Sequence, residues 1–395
     1  MTPPDGLDGE SWWAGLQLAR SRVAEPTGYD DADGRPFTLS LTPEAHRMLH
    51  RIDREASGRI EIPELLGPSI ARKRFLVASL QEEAITSSML EGANTTRKAA
   101  KELLRTGRAP SDRSERMVVN TYEAMQFVVE RRDEPITPEQ VLRLHRIVTD
   151  GTLDDPDDAG RLQRPGEERV GVHDAQGVLL HQPPPAEQLP ERLEALCDFA
   201  SGATGREGFI HPVVRALLTH FRVGVDHPFV DGNGRVARAL FYWVMLREGY
   251  WLTEFLSVSR LLREAPTKYV RSYLYAEDDN DATYFVLHHL GVVERAIDEL
   301  RSWLARKMQE VRRTEATVQG VDLNARQRVL VSHALRNADA SYTHQSHARS
   351  HDVTVQTASV DLTDLVDKGL FTRERFGRRF VYVSAPDLAE CLDGA

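Results

Sequence analysis

From Thr42 to about Val311 the chain repeats one pattern, and that repetition restricts its fold more than any other feature. Apolar residues recur three and four positions apart in successive runs, each closed by cap or breaker residues. This is how amphipathic helices packed on a shared core are written. Thr42, followed by Pro43 and Glu44, reads as an N-cap, and the helix behind it runs through Leu49 and Ile52. Pro63 opens another segment. The spacing then predicts a long helix from Ile70 to Leu90, stopped at Gly92, and a further one opened by Thr95, Thr96 and Arg97. Helical patterns continue over residues 112–131, 138–150, 187–201, 212–223, 235–248, 258–264, 266–278 and 281–311. Residues 152–185 break the rule. There Glu168 to His173 and Val178 to His181 form short alternating runs around Asp174-Ala175-Gln176-Gly177, a β-hairpin pattern. The expected fold is mainly α: a helical bundle carrying one hairpin.

The two ends read differently. Residues 1–40 are rich in Gly, Pro and Asp around Trp12 and Trp13, which suggests an irregular arm docked by its aromatics. Residues 311–325 are polar and read as a linker. Beyond them come helices over Asn324 to Arg336, His344 to His351 and Val355 to Lys368. Strands follow at Leu370 to Arg375 and Arg379 to Val383, around Gly377. That is the order of a winged helix-turn-helix. The expected division is an N-terminal arm and helical region over 1–110, a central domain over 111–310, and a winged domain over 322–395.

Charge and cysteine content narrow the function classes. A formal net charge of −10 leaves no whole-protein field to attract nucleic acid, so any DNA contact needs a local basic patch. Cys197 and Cys391 are the only cysteines. They exclude a disulfide framework and a cysteine-rich zinc site, and they suit a reducing compartment. Met1 to Arg20 has no apolar core of signal-peptide type, and no run approaches a membrane span. The expectation is a cytoplasmic protein with no membrane partner.

The segment richest in chemistry runs from His227 to Arg238. A histidine stands just before Asp231-Gly232-Asn233-Gly234, and an apolar periodic helix begins near Arg235. Gly-rich backbone at a helix N-terminus aims several N–H groups one way and, with the helix dipole, makes an anion site suited to phosphates. Asp231 supplies a hard oxygen ligand for Mg²⁺ against a pyrophosphate. Arg235 and Arg238 lie three apart, on one helix face, where they can clamp phosphate oxygens. His227 titrates near neutrality when unperturbed and suits a general base. Base, metal ligand, anion nest and cationic clamp are the parts of a nucleotidyl or phosphoryl transfer.

This run resembles the signature of Fic-domain proteins, His-x-Phe-x-(Asp/Glu)-Gly-Asn-Gly-Arg-x-x-Arg, at every defined position. The resemblance implies a Fic-type helical bundle that transfers AMP from ATP to a hydroxyl of a target protein or of itself. His227 would deprotonate the hydroxyl, and Phe229 would anchor the loop. Asp231 would bind Mg²⁺. Gly232, Asn233 and Gly234 would cradle the α- and β-phosphates, with Arg235 on the β-phosphate side and Arg238 on the γ-phosphate. Asp226, where many relatives carry an apolar residue, either perturbs the histidine or faces solvent. The hairpin, residues 168–182, sits where the family has its flap, which holds the target by main-chain pairing. Ser87-Ser88-Met89-Leu90-Glu91-Gly92 resembles the family's inhibitory motif, (Ser/Thr)-x-x-x-Glu-(Gly/Asn), placed N-terminal to the signature. It implies that Ser87, Glu91 and Gly92 are regulatory and that Glu91 pairs with Arg238. In relatives the helix after the signature contributes to an adenine pocket. Tyr269 is the candidate there, with core packing as its other reading.

The resemblance leaves a homodimer open, and two other functions with it. One is a DNA-binding regulator. In it Thr354, Gln356, Thr357 and Ser359 would face bases, Arg373, Arg375, Arg378 and Arg379 would face phosphates, and the Fic domain would serve as a nucleotide sensor. Asp361, Asp364 and Asp367 on the same helix oppose that reading. The other keeps the enzyme and changes the donor to UMP, phosphocholine or phosphate.

Overall fold

The computed structural model describes residues 3–57, 70–173, 177–202, 209–337, 340–376, 379–386 and 388–393. It forms two compact units, residues 1–300 and 301–395. The first unit opens with helix α1 (Gly9–Ser21) and strands β1 (Glu25–Asp30) and β2 (Pro36–Leu39), then helices α2 (Pro43–Ile52), α3 (Ile70–Leu90), α4 (Arg97–Thr106), α5 (Arg113–Glu130) and α6 (Pro138–Thr149). Strands β3 (Val172–His173) and β4 (Leu179–His181) follow. Next come α7 (Leu189–Ala200), α8 (Pro212–Asp226), α9 (Asn233–Arg247), α10 (Val258–Glu264), α11 (Pro266–Asp278) and α12 (Thr283–Gln319), of which the residues up to Leu300 belong to this unit. The mainly α expectation holds. No described helix is long and apolar enough to cross a membrane. The segment expected to open at Pro63 lies outside the described residues.

Helix α9 is the axis of the first unit. Every residue from Arg235 to Leu246 is buried, as befits a helix wrapped by others on all sides. Trp243 is fully enclosed and meets Phe127 of α5 edge-on at 5.7 Å. The helix starts read at Thr42 and Thr96 hold, and Thr137 adds a cap not singled out in the sequence. Thr42, Thr96 and Thr137 each accept a backbone N–H of the helix they precede.

The N-terminal arm is not irregular. Asp8 caps α1 by accepting from the Ser11 amide at 2.7 Å, and no proline interrupts residues 9–21. The docking aromatics are not Trp12 and Trp13 but Tyr29 and Phe37 of the β1–β2 hairpin. These two are buried and stacked, and Phe37 meets Phe221 of α8 edge-on at 5.1 Å. Residues 311–319 are likewise not a linker. They lack Gly and Pro, and α12 continues through them to Gln319.

The β3–β4 hairpin is shorter than the alternation suggests. Residues 168–171 leave the ladder because Arg169 turns inward, its Nε donating to the Pro184 carbonyl at 2.8 Å. Residues 174–176 lie outside the described residues.

The second unit contains α13 (Ala325–Arg336), β5 (Ser341–Tyr342), α14 (His344–His351), α15 (Val355–Asp367), β6 (Phe371–Phe376), β7 (Arg379–Ser384) and α16 (Leu388–Asp393), with sheet order β5-β7-β6. Strand β5 and helix α16 were not legible in the sequence. Val331, Leu362, Leu365, Phe371 and Tyr382 form the core. Asp361 is buried and accepts from Asn324, the N-cap of the first helix, from Arg326 within it and from His347 of the second. Asp364 takes Lys368 and Gln327. Asp361 therefore faces inward, whereas the Asp364 side chain stays partly exposed.

Candidate active site

The site is a turn between two buried helices. Helix α8 ends at Asp226, and His227 follows as its C-cap in the left-handed region, φ 42°, its N–H donating to Val223 O at 3.0 Å. Phe229 is fully buried and stacks on the His145 ring with centroids 3.8 Å apart. The Asn233 side chain grips the turn from both sides. Its Oδ1 accepts from the Phe229 amide at 3.0 Å, and its Nδ2 donates to the Phe229 carbonyl at 2.8 Å. His145 Nδ1 accepts from the Gly160 amide, so its Nε2 carries the proton and donates to the Asp231 carbonyl at 2.9 Å. Gly232, φ 85°, brings the chain into α9 with no side-chain cap. The first amides of α9 thus have no intrahelical acceptor and lie at the positive end of its dipole.

The charged residues fall into two groups. Asp231 pairs with Arg235 at 3.3 Å and with Arg113 of α5 at 3.4 Å. Arg235 is buried, and its Nη1 donates to the Val148 carbonyl at 2.6 Å. Arg238, also buried, turns to α3. It donates from Nε to Ser87 Oγ at 2.8 Å, from Nη2 to Ser87 O at 3.1 Å and from Nη1 to Glu91 Oε1 at 2.9 Å. The Glu91 carboxylate also lies against the start of α9. A Cβ on Gly234 would collide with its Oε1, so a larger residue there would have to displace the carboxylate. Gly92, φ 89°, closes α3 just beyond.

Two helical turns N-terminal to Glu91, the buried Glu83 reaches α10. It accepts from Ser257 Oγ and the Ser259 amide, both at 3.1 Å, and from Ser259 Oγ. Ser257 makes no cap bond of its own, so Glu83 caps α10 from another helix. Burial raises the Glu83 carboxyl above the usual carboxylate range.

A cavity of about 200 Å³ opens beside the turn. Its walls include His227, Gly234, Glu91, Tyr269 and Tyr273, with Val172 and Leu180 of the hairpin above. Tyr269 is half-buried and shares a hydrogen bond with the buried His220 ring at 2.9 Å. Burial pushes His227 down to about 4, assisted by the nearby His181 and opposed by Glu91. The imidazole is therefore neutral at pH 7, the form that accepts a proton.

Asp226 neither faces solvent nor reaches the base. It is buried, accepting from Tyr29 of β1 at 2.7 Å and from Arg192 of α7. His145, Glu83, Arg113, Arg169 and Tyr29 were all missed in the sequence, because each lies far along the chain from the signature it supports.

His227 at the end of one helix and Gly234 at the opening of the next thus line one cavity within a helical domain. Residues 135–245 match the family described as Fic/DOC, and this segment is a Fic/DOC family domain. Among curated proteins the chain is similar to Protein adenylyltransferase Fic of Nematostella vectensis, 28% identical over 209 residues, covering 51% of this chain and 45% of that protein. It is also similar to Protein adenylyltransferase Fic of Drosophila melanogaster, 35% identical over 115 residues, covering 29% of this chain and 21% of that one. The chain thus spans less than half the length of these relatives. Among solved structures, a Fic family protein from Desulfovibrio desulfuricans shares the fold with a TM-score of 0.61 at 19% identity, covering 88% of this chain and 98% of that one. Fic-1 from C. elegans does so with a TM-score of 0.51 at 22% identity, covering 66% and 73%.

Proposed function

We propose that this protein transfers AMP from ATP to a hydroxyl side chain of a protein, itself included, and that Glu91 holds the reaction in check. The observation that carries the reading is the Glu91 carboxylate, bound to Arg238 at 2.9 Å and pressed against Gly234 at the opening of α9. A side-chain anion there stands where a phosphate would be bound. The relatives named protein adenylyltransferase support AMP as the transferred group.

In the reaction, neutral His227 takes the proton of the target hydroxyl. The new O–P bond forms at the α-phosphorus as its bond to the bridging oxygen of the β-phosphate breaks, and pyrophosphate leaves. The first amides of α9, at Asn233 and Gly234, hold the α- and β-phosphates. Arg238 takes the γ-phosphate once Glu91 withdraws. Arg235, bound to Val148 and Asp231, adds its charge on the β-phosphate side. Among the described residues no group of three or more His, Cys, Asp or Glu is placed to hold a metal. Asp231 nevertheless fits Mg²⁺, which is commonly held by one carboxylate together with substrate phosphates. When bound, the ion neutralises polyphosphate charge. Tyr269 and Tyr273 wall the space for the adenine, and the hairpin over 168–182 receives the target. A cysteine content of Cys197 and Cys391 alone suits the cytoplasm.

The test is incubation with ATP labelled separately at the α- and γ-phosphorus. The α-label alone is retained, and Glu91→Gly raises its incorporation by roughly 10²-fold, the scale on which misplaced reactants lose rate. His227→Ala in the same chain cancels the gain. Retained γ-label, or a Glu91→Gly protein no faster than the parent, overturns the reading.

A second reading concerns residues 322–395. Asp361 is buried against the neighbouring helices. This leaves Gln356, Val360 and Arg373 exposed, a face that a winged helix-turn-helix turns to DNA. Arg378 and the side chain of Arg379 lie outside the described residues.

A further inference from the structure

The carbonyls of four consecutive residues at the catalytic turn all accept hydrogen bonds from one segment, residues 163–181. His181 Nε2 donates to Val225 O at 2.8 Å. Arg169 Nη2 donates to Asp226 O at 2.8 Å and to His227 O at 3.1 Å. The Gln163 amide donates to Pro228 O at 3.0 Å. The last carbonyls of a helix lack intrahelical partners and sit at the negative end of its dipole. A guanidinium suits that place, since it offers several donors and a fixed positive charge. Arg169 does more than cap α8. Its Nε donates to Pro184 O at 2.8 Å, beyond β4, and its Nη1 to the Gln163 side-chain carbonyl. Gln163, itself buried, passes the contact on, its Nε2 donating to Glu168 O at 3.0 Å. Both feet of the β3–β4 hairpin are therefore joined through one side chain to the backbone of His227. That backbone is held in a left-handed conformation that histidine adopts only when its surroundings impose it.

We propose that Arg169 is a positioning residue for His227: it holds the base-bearing turn in its left-handed conformation and fastens the hairpin to it, so that a target seated on the hairpin steadies the base. The proposal rests on the adenylyl-transfer reading of the site. It deepens that reading by making target binding and base alignment one event.

The test uses the full chain carrying Glu91→Gly. Adding Arg169→Gln lowers kcat for α-label transfer by about 10²-fold, the scale of a misplaced catalytic group, while KM for ATP stays near the parent value, because the phosphate donors lie on α9. Arg169→Lys keeps the charge, but three donors on a single nitrogen cannot reach the four carbonyls that the guanidinium spans, and it remains slow. Added guanidinium restores part of the rate of Arg169→Ala. A second readout needs no turnover: the imidazole of His227, which faces His181, Glu91 and Arg169, titrates by NMR closer to 6.5 in Arg169→Gln than in the parent. If the parent transfers α-label through His227 and Arg169→Gln is equally fast, the positioning role is wrong and the function stands. If the parent transfers nothing, the function reading fails. The NMR titration then decides the clamp, and an unmoved His227 overturns it.

Discussion

At the scale of single residues, the site depends on keeping His227 uncharged. Its value of about 4 comes chiefly from burial, with His181 adding to the depression and Glu91 opposing it. The rate of transfer should therefore stay flat from neutrality to about pH 5 and fall through an acid limb near 4. A kcat/KM profile whose acid limb lies at 6.5 would show that the base is not held in this buried form. The same shift acts on stability. Between pH 6.5 and about 4 the unfolded chain binds a proton that native His227 refuses. Its contribution is thus complete above 6.5 and is lost as the pH falls through that window. The residues of the signature were legible because glycine, acid and base at fixed spacing have few other uses. Their supports were not. Nothing in the sequence tells His145 from other histidines, yet its two ring nitrogens join Gly160 to the Asp231 carbonyl. A buried histidine declares itself only through partners that the fold brings to it.

At the scale of elements, α3 acts as a strut fastened at two levels. Glu91 and Ser87 hold Arg238, and Glu83 caps α10. Glu83→Ala leaves the Ser257 and Ser259 donors without their acceptor, a loss of about 1–3 kcal/mol for buried groups, and loosens α3 over the site. AMP transfer should rise while the melting temperature falls. In a Glu91→Gly background the same change should add nothing to the rate, since both act through one contact. An equal gain in both backgrounds would separate Glu83 from the brake. The span of α3 was readable from helical spacing, and so was its stop at Gly92. The N-terminal hairpin was not, because Glu25–Asp30 holds Pro26 and Gly28, residues rare in strands. It pairs around a bulge and is held from outside, where the Thr38 amide donates to Asn280 O at 2.8 Å.

At the scale of the molecule, the second unit carries its own core, and Asp361 ties three of its helices together. If it contacts DNA, retardation of a duplex at low salt should weaken on Arg373→Ala and lose part of its salt dependence. Absence of retardation by the parent assigns the unit to protein contacts instead. The segment matched as a Fic/DOC domain, residues 135–245, is smaller than the working site. Asp226 rests on Tyr29, Asp231 on Arg113, Arg238 on Ser87 and Glu91, and the wall of the cavity on Tyr269. Each of those partners lies outside the matched stretch. A cassette cut at the borders of the match and grafted elsewhere would keep every letter of the signature and forfeit the surfaces that aim it. Recombination that carries this chemistry into a new protein must therefore move the first unit nearly whole.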